Sequence, residues 1–414
     1  MGGGKSFQIS KHRVLEAYKL VKANHGAGGI DGVDFEEYEK NLENNLYKLW
    51  NRMSSGSYFP KPVRGVEIPK KNGKKRLLGI PTIEDRIAQM VVRLEFEPLV
   101  ERIFLEDSYG YRPNRSAGDA IGVTRERCWR YPWLIEYDIV GLFDNIDHEL
   151  MMKAVRHHTE EKWMVLYIER FLKAPIMLPT GELRERNSGT PQGGVISPVL
   201  ANLFLHYAID TWLSREHPKN PWARYADDGV IHCRTELEAK RILQELSDRL
   251  KECGLEIHPE KSRIVYCKSD RFKGEHENTS FDFLGYTFRT RRAKNKQGVF
   301  FNAFTPAVSK DSAKAFRGKI RALVKGTNGI GLDKLAELLN PVIRGWMNYF
   351  MVYRSSEARK EINYVNHVLV RWIRKKYKTI RRSWGRAWRM LLHLAQTTPR
   401  LFHHWQRGIR PAIG

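Results

Sequence analysis

Two adjacent aspartates, Asp227 and Asp228, interrupt the stretch "ARYADDGVIHC" (223–233), whose other residues have the apolar and aromatic pattern of a β-strand. Asp-Gly is a strong signal for a tight hairpin turn, because such turns need positive φ. The pair therefore predicts a hairpin. The alternative is a metal site, which needs a third carboxylate from elsewhere in the chain.

Asp138 is the candidate for that third carboxylate. It ends the predicted strand in "WLIEYDIVGLFDNID" (133–147), and the apolar residues around it indicate a central, buried strand. A buried carboxylate without a partner is costly, so it should bind a cation or pair with a base. If this strand lies beside the Asp227-Asp228 hairpin, the three acids converge. Two Mg²⁺ ions about 3.5–4 Å apart, with Mn²⁺ as a substitute, would relieve their repulsion and support displacement at phosphorus.

The elements that must position these residues are mixed in the first three quarters of the chain and helical in the last quarter. Apolar spacing predicts a bend or break at Pro98 and a single strand over 281–288. The expected helices are 11–24, 84–104, 148–173, 197–213 and 236–253, and a basic hairpin is expected over 64–81. The order implies a large catalytic domain followed by a basic helical region.

Positive charge is concentrated in that last quarter. The chain of 414 residues has a formal net charge of +24, of which residues 302–414 carry +18 and the remainder +6. Such asymmetry is typical of a module that binds a polyanion, since neutralised phosphates release their counterions. The alternative is a basic surface that serves only solubility.

Composition indicates a folded protein in a reducing compartment. Apolar residues make up 42% of the chain, and the four cysteines form no C-x-x-C pair, which argues against a zinc knuckle or a disulfide framework. The sequence has no evident signal peptide and no long uncharged apolar run. We therefore expect a cytoplasmic protein that does not bind membranes.

Several motifs, taken in order, resemble those of group II intron reverse transcriptase/maturases. They are "HGAGGIDGV", "GIPTIEDR", "SYGYRPNRSAGDAI", "YDIVGLFDNIDH", "SGTPQGGVISPVLANLFL", "RYADDGV", "GLEIHPEKS", "FLGYTF" and "IRGWMNYF". The resemblance implies an α+β, right-hand polymerase fold. Its parts would be an N-terminal extension over 1–60, fingers and palm over 61–290, and a C-terminal α-helical thumb/maturase domain over 302–414.

The resemblance also implies roles for individual residues. Asp138, Asp227 and Asp228 match catalytic metal ligands, joined by the backbone carbonyl of Ile139. A nucleotide-binding group matches Lys70, Arg76, Arg112, Phe143, Gln192 and Lys261. Lys70 and Arg76 would hold the triphosphate of the nucleotide. The Phe143 ring would exclude a ribose 2′-hydroxyl, and Lys261 would protonate the pyrophosphate.

Plainer alternatives remain for several members of the nucleotide-binding group. Lys70 and Arg76 could belong to a solvated basic turn, and Phe143 could be a core ring. Gln192 could lie in an ordinary polar loop, and Lys261 could be a surface lysine.

The segment "RWIRKKYKTIRRSWGR" (371–386) is the best candidate for an RNA-facing surface, because it combines cations with aromatic rings. Its predicted RNA-binding residues are Arg371, Arg374, Lys375, Lys376, Arg381 and Arg382. Trp346 and Tyr349, at helical spacing, are predicted to be core residues. The pair His403-His404 lacks partners at metal-ligand spacing and is interpreted as ordinary polar residues.

The resemblance implies an RNA-directed DNA polymerase that binds group II intron RNA, assists its splicing and copies it into cDNA for retrohoming. Its partners would be the intron RNA, an RNA template with a DNA primer, dNTPs and a DNA target. Many members of the family continue into a Cys- and His-bearing endonuclease, and no such cluster occurs here, so second-strand cleavage is not expected. The alternatives are a splicing-only maturase and a domesticated relative in host defence or repair.

Overall fold

The computed structural model describes residues 6–69, 73 and 75–412. They form two compact units, one made of residues up to Ala120 with Ile135–Ile264, the other of Ile121–Leu134 with Val265 onward. Residues 265–290, expected to belong with fingers and palm, therefore fall in the second unit.

The first unit begins with a helical layer. Its helices in this part are α1 (Lys11–Ala23), α2 (Phe35–Glu39), α3 (Leu42–Ser55) and α4 (Ile83–Glu101). Ser10 caps α1 by accepting a hydrogen bond from the His12 amide. Helix α1 packs on α4, whose inward side is almost wholly buried. Pro98 lies inside α4 and does not divide it.

A small sheet carries the basic hairpin. Strands β1 (Val63–Pro69) and β2 (Lys75–Ile80) pair antiparallel, as predicted from the sequence. The sheet order is β2-β1-β4-β5, with β4 at Ile176–Met177 and β5 at Leu183–Arg184.

The second sheet carries the acidic residues. Its order is β6-β7-β3-β8, with β3 at Trp133–Asp138, β6 at Trp222–Tyr225, β7 at Asp228–Cys233 and β8 at Arg263–Tyr266. The strand that ends at Asp138 is thus a direct neighbour of the strand that begins at Asp228. The three acids can converge only if these two strands are neighbours, and they are.

Seven helices lie between residues 117 and 252. They are α5 (Ala117–Cys128), α6 (Leu142–Asn145), α7 (His148–His158), α8 (Lys162–Lys173), α9 (Ser197–Leu205), α10 (Thr211–Glu216) and α11 (Glu236–Glu252). Most of α5 belongs to the second unit. A π-helical turn, His206–Asp210, separates α9 from α10. The pattern over 197–213 therefore predicted the helix correctly but did not predict this interruption. Turns of the π-helical type are frequent at functional sites.

The second unit combines a three-stranded antiparallel sheet with a helical region. The strands are β9 (Ser280–Phe283), β10 (Tyr286–Lys294) and β11 (Phe300–Val308), in the order β11-β10-β9. The single strand predicted over 281–288 was wrong. Leu284 and Gly285 both have positive φ, +50° and +81°, which turns the chain back in a two-residue hairpin.

The helical region begins after β11. Its helices are α12 (Lys310–Val324), α13 (Leu332–Phe350), α14 (Ser355–Lys376), α15 (Trp384–Thr397) and α16 (His403–Gln406). They enclose an apolar cluster that includes Ile343, Leu369, Trp372 and Trp405. Trp346 packs on this cluster, as predicted, and stacks on Phe316 with ring centroids 4.6 Å apart. None of the described helices is long and apolar enough to cross a membrane.

Candidate active site and RNA-binding surface

The predicted hairpin is present, with Asp227 in its turn. Tyr225 pairs with Asp228, so that Ala226 and Asp227 form the two-residue loop and Asp228 begins β7. Ala226 has a φ of +56°, a left-handed conformation that costs a residue with a Cβ roughly 1 kcal/mol. Gly229, expected in the turn, lies in β7 against the Tyr137 ring, where a Cβ would collide with it.

A fully buried arginine holds this turn in place. The Arg224 guanidinium donates to both carboxylate oxygens of Asp210, at 2.7 and 2.6 Å. It also donates to the Ala226 carbonyl at 3.1 Å and to Ser108 and Asn202. Both side chains of the ion pair are 0% exposed. Because the Ala226 carbonyl is one of its partners, Arg224 ties the strained turn to the core.

Asp138 reaches the same end of the sheet from β3. Its amide donates a hydrogen bond to the Ser262 hydroxyl at 3.2 Å, and its carbonyl accepts one from the His258 amide at 2.8 Å. The next residue, Ile139, is buried and forms an isolated antiparallel bridge with Ile257. The Lys261 ammonium donates to the Asp138 carboxylate, although 59% of the lysine side chain remains exposed.

The charges of the three aspartates interact. Burial raises the pKa of Asp227, and the negative charge of Asp138 raises it further. Asp228 is partly accessible to solvent. Partial desolvation of its carboxylate, together with the charges of Asp227 and Asp138, raises its pKa to about 7. The positive charge of Lys261 opposes both shifts. The site therefore favours the binding of positive charge.

The donor set suits a hard divalent cation in its chemistry. Carboxylate oxygens are the ligands that Mg²⁺ prefers, and added positive charge would relieve the repulsion that raises both pKa values. Among the described residues, however, no group of three or more His, Cys, Asp or Glu side chains is arranged to hold a metal ion. In this arrangement the Lys261 ammonium supplies the positive charge at Asp138.

The basic hairpin contributes a cation to the acidic site. Arg76 lies in β2, and its positive charge lowers the pKa of Asp227 against the effect of burial. Tyr111 belongs to the same neighbourhood: its ring lies 6.4 Å from that of Tyr225, and burial and the charge of Asp227 raise its pKa. Lys70, predicted to act with Arg76, lies outside the described residues.

One loop connects Phe143 and Gln192. The Thr190 amide donates to the Phe143 carbonyl at 2.7 Å, and the Gln192 side chain donates to Asp144 at 3.2 Å. On its other side the loop approaches β2: the Gly79 amide donates to the Gln192 carbonyl at 3.0 Å. Gly193 has a φ of +123°, and a Cβ there would lie 2.8 Å from the Gly79 carbonyl oxygen. This close approach explains why the loop needs its glycine.

Arg112 has a different setting from the expected one. Its side chain is buried and donates to Glu101 at 2.9 and 2.7 Å and to the carbonyls of Leu105 and Ser108. Every nitrogen of the guanidinium group thus has a partner inside the protein. These contacts support a positioning role, since Ser108 is also bound by Arg224.

Four of the six cations predicted to face RNA form two groups. Arg371 and Lys375 are exposed and line a cavity of about 370 Å³ together with Arg321 and Lys325, above the buried Trp372. The second group turns inward. Lys376 donates to the carbonyls of Asn328 and Ile330, and Arg374 donates to the Arg381 carbonyl with its guanidinium over the Trp384 ring.

The remaining cations and the histidine pair complete this region. Arg381 and Arg382 are exposed. His404 is fully buried, and its Nε2 lies 2.9 Å from the Asn366 side-chain oxygen, which also accepts from the Trp405 indole at 2.8 Å. Burial lowers the pKa of His404 to about 3, so the ring is neutral. It is a structural polar residue, in keeping with the sequence interpretation.

Sequence reasoning missed Arg224, Asp210 and Tyr111. Arg224 stands directly before Tyr225 in the predicted strand, where a charged residue flanked by apolar neighbours signals a buried partner. The identity of that partner, at position 210, had no local signal. Tyr111 had a weak sequence signal, the glycine beside it in "YGYRP". In the structure this Gly110 lies against the Ala226 backbone.

Known proteins match both units of the chain. Residues 68–288 match the family described as reverse transcriptase (RNA-dependent DNA polymerase), and residues 313–391 match the maturase-specific domain of group II introns. Protein YkfC of Escherichia coli (strain K12) is 32% identical over 354 residues, which cover 75% of this chain and 88% of that protein.

Intron-encoded proteins match shorter shares of their own length. The group II intron-encoded protein LtrA of Lactococcus lactis subsp. cremoris is 38% identical over 191 residues, 46% of this chain and 32% of LtrA. The putative COX1/OXI3 intron 1 protein of Saccharomyces cerevisiae is 26% identical over 327 residues, 66% of this chain and 38% of that protein. The chain thus spans most of YkfC and about a third of the two intron-encoded relatives.

The polymerase match extends over more than half of the chain and includes Asp138, Asp227 and Asp228, and the maturase match includes Arg371 and Lys375. The protein therefore belongs to the reverse transcriptase family, is of the group II intron reverse transcriptase/maturase type, and is an RNA-directed DNA polymerase.

Proposed function

We propose that Asp138, Asp227 and Asp228 form the polymerisation site and hold two Mg²⁺ ions, with the Ile139 carbonyl as a further ligand and Mn²⁺ as a substitute. The observation that supports this best is that β3, which ends at Asp138, lies directly beside β7, which begins at Asp228 after the turn with Asp227. Burial and the mutual repulsion of the acids then raise the pKa of Asp227 and Asp228. Repelling carboxylates at the end of neighbouring strands are stabilised when a divalent cation binds.

Bound divalent cations would activate the primer 3′-hydroxyl and neutralise the leaving pyrophosphate. The remaining work belongs to side chains of the chain itself. The positive charge of Arg76, on the basic hairpin, lowers the pKa of Asp227, so Arg76 would orient the triphosphate of the dNTP, together with Lys70. Lys261 would leave Asp138 when cations bind, and its exposed ammonium would then donate a proton to the pyrophosphate.

Phe143 and Gln192 would bind the sugar and the base. The same loop holds the Phe143 backbone and places Gln192 beside Asp144, the residue that follows Phe143. We place fingers and palm within residues 61–290, after an N-terminal extension over 1–60, and the thumb/maturase region within 302–414. Arg112 would act indirectly, through Ser108 and the turn that carries Asp227.

The second unit would bind group II intron RNA through its exposed cations. Arg371 and Lys375 share a cavity with Arg321 and Lys325, an arrangement that suits phosphate oxygens. Splicing assistance would depend on this surface, and retrohoming would depend on it together with the polymerisation site and a DNA target. We place this activity in the cytoplasm.

Asp227→Asn tests the polymerisation site, because it removes a charged ligand at nearly constant volume. We expect Mg²⁺-dependent primer extension on an RNA template to fall by at least about a thousandfold, in the range of removing an essential catalytic group. Chelation of divalent cations should abolish extension by the wild-type protein. RNA affinity and the unfolding midpoint should stay near the wild-type values.

Asp248→Asn is the matched control, because Asp248 lies exposed on α11 and its partners among the described residues, Gln244 and Lys251, belong to the same helix. It should extend primers at the wild-type rate. Extension by the Asp227 variant at near wild-type rate would disprove the site. A wild-type protein that promotes splicing without extending primers would identify a splicing-only maturase.

A further inference from the structure

The hairpin formed by β10 and β11 changes character along its length. Its pairs run from Tyr286↔Val308 to Lys294↔Phe300. Near the base of the hairpin, Phe288 and Phe304 are fully buried and stack on Phe281 with ring centroids 4.6 and 6.0 Å from it. Toward the tip, residues 300–302 of β11 are exposed. The hairpin therefore has an anchored base and a solvent-exposed tip.

The tip displays apolar surface together with positive charge. Val299, Phe300 and Phe301 are 60%, 55% and 40% exposed. The sequence from Arg289 to Asn302 has five Lys or Arg residues and no Asp or Glu. Of the five cations, Arg291 is buried and paired with Glu357, and the others are exposed. Adjacent exposed rings beside several cations are unusual on a protein surface and mark an interaction site. The charge selects an anionic partner.

The register of the hairpin sorts these side chains onto its two faces. Lys294 pairs with Phe300 and Arg292 with Asn302, so these four residues share one face. Ala293 pairs with Phe301, which lies on the other face. On the first face the Arg292 guanidinium lies 4.1 Å and the Lys294 ammonium 5.5 Å from the centroid of the Phe300 ring.

The base of this face is held rigidly. The Arg354 guanidinium donates to the Arg292 carbonyl, and Arg354 precedes the first residue of α14. Asp270 holds Asn302 through its backbone amide and its side chain, at 2.8 and 3.0 Å. A ring that is fixed beforehand loses little entropy when a partner stacks on it.

We propose that the face formed by Arg292, Lys294 and Phe300 binds single-stranded RNA, with one base stacked on the Phe300 ring and the neighbouring phosphates on the two cations. Unpaired bases expose the flat surface that stacking needs, whereas paired bases in a duplex do not. The choice of RNA over DNA rests on the proposed function. The stacking geometry is independent of it.

The test compares two variants of the full chain. Phe300→Ala removes the ring between the cations, and Phe301→Ala removes the same ring from the opposite face. Binding is measured by fluorescence anisotropy, without nucleotides, to an oligo(A) RNA of about 12 nucleotides, and to oligo(dA) and an abasic RNA oligomer of the same length. The abasic oligomer keeps the phosphates and lacks the bases.

We expect Phe300→Ala to weaken binding of oligo(A) by about tenfold, within the range of base–aromatic stacking, and binding of the abasic oligomer by less than twofold. Phe301→Ala should change both affinities by less than twofold. Because the ring has no charge, the salt dependence of binding should be the same in Phe300→Ala as in the wild type. Replacing Arg292 and Lys294 by Gln should make it shallower.

Three results would overturn the proposal. Equal losses for oligo(A) and the abasic oligomer would mean that the ring supports the fold of the hairpin and does not stack on bases. Equal losses in the two phenylalanine variants would mean that the tip has a general apolar role. An equally large effect of Phe300→Ala on oligo(dA) would show that the face does not select RNA. Because primer extension is not measured, none of these results bears on the polymerisation site.

Discussion

The two units use charge in different ways. In the first unit the decisive charges are drawn inward: the Arg224–Asp210 pair is fully buried, and the acids beside it have raised pKa values. In the second unit several cations, among them Arg371 and Lys375, are exposed around an apolar cluster, and the buried His404 is neutral. Catalysis needs a few charges in fixed positions, whereas phosphate binding needs many charges in approximate positions.

The difference predicts how each unit responds to the loss of a single charge. When one partner of a buried ion pair in the first unit is removed, the charge that remains has no solvent to stabilise it. The loss of the partner should therefore reduce stability and disturb the geometry of the site. A cation lost from the surface of the second unit should change the affinity for RNA and little else.

Breaking the buried ion pair is the largest expected effect on stability. Arg224→Met leaves Asp210 buried without a partner, and we expect the free energy of unfolding to fall by about 3–5 kcal/mol. Arg317→Met is the control from the second unit, because Arg317 and Glu361 form a partly exposed pair. It should cost less than about 1 kcal/mol. Urea unfolding of the full chain measures both changes.

A double variant separates stability from positioning. Arg224→Met with Asp210→Leu removes both charges, and most of the lost stability should return. The Ala226 carbonyl would still lack its donor, so primer extension should remain at least about tenfold below that of the wild type. If the double variant recovered stability and activity together, Arg224 would serve the fold alone.

The same network shows how far the sequence could predict this site. The hairpin and the strand that ends at Asp138 follow from local patterns, namely alternation and the Asp-Gly signal. The convergence of Asp138 with Asp227 also needs the two strands to be neighbours, which a local pattern does not give. The centre of the turn could not be predicted, because the positive φ of Ala226 is maintained by Arg224, whose partners come from positions 108, 202 and 210. Partners distant in sequence leave no trace in a local pattern.

The second unit has the corresponding limit in its surface. Lys375 and Lys376 are identical in type and adjacent in sequence, yet one is exposed and the other donates to the carbonyls of Asn328 and Ile330. Charge counting predicts that this segment is basic and faces a polyanion. It cannot predict which lysine serves the neighbouring turn, since that depends on the end of α14 and the loop beside it.

The neutral histidine of the second unit predicts a pH dependence. The pKa of His404 falls from an ordinary 6.5 to about 3 in the folded protein. Below pH 6.5 the unfolded chain takes up a proton at this residue and the folded chain does not, so stability is lost as the pH falls. At pH 5 this loss should amount to about 2 kcal/mol relative to pH 7.

His404→Gln should remove this loss, because glutamine can donate to Asn366 and does not titrate. His393→Gln is the control, since His393 is exposed on α15. The measurement is the urea unfolding of each variant at pH 7 and pH 5. An unchanged difference between the two pH values in His404→Gln would show that the titration of another group, such as the neighbouring His403, causes the loss.

A smaller effect is expected at the sugar of the incoming nucleotide. Phe143→Ala should raise the incorporation of ribonucleotides relative to deoxyribonucleotides by at least about tenfold, or about 1.4 kcal/mol, because packed rings yield little to an added hydroxyl. Phe143→Tyr keeps the ring and should leave the ratio unchanged. The ratio of kcat/KM values for matched nucleotides measures it. If the folded, active alanine variant has an unchanged ratio of kcat/KM values, Phe143 is a core residue and does not select the sugar.

The smallest expected effect concerns the surface of the second unit, and it depends on the division between exposed and inward-facing cations. Arg371 and Lys375 open onto the cavity shared with Arg321 and Lys325, whereas Lys376 is occupied by two carbonyls. If each exposed cation neutralises one phosphate, replacing both by Gln should make the slope of log affinity against log salt shallower by about 1.5.

Lys376→Gln removes the same charge from the same turn of the helix and provides the control. Its slope should stay at the wild-type value, while the loss of its hydrogen bonds to Asn328 and Ile330 lowers stability by about 1 kcal/mol. The slopes are obtained from binding of structured RNA at several salt concentrations. Equal changes in slope for Lys376→Gln and for one exposed cation would mean that RNA responds to the total charge of the unit. Unequal changes would mean that phosphates contact the exposed cations, so that the exposure of a cation decides the response and its exact position does not.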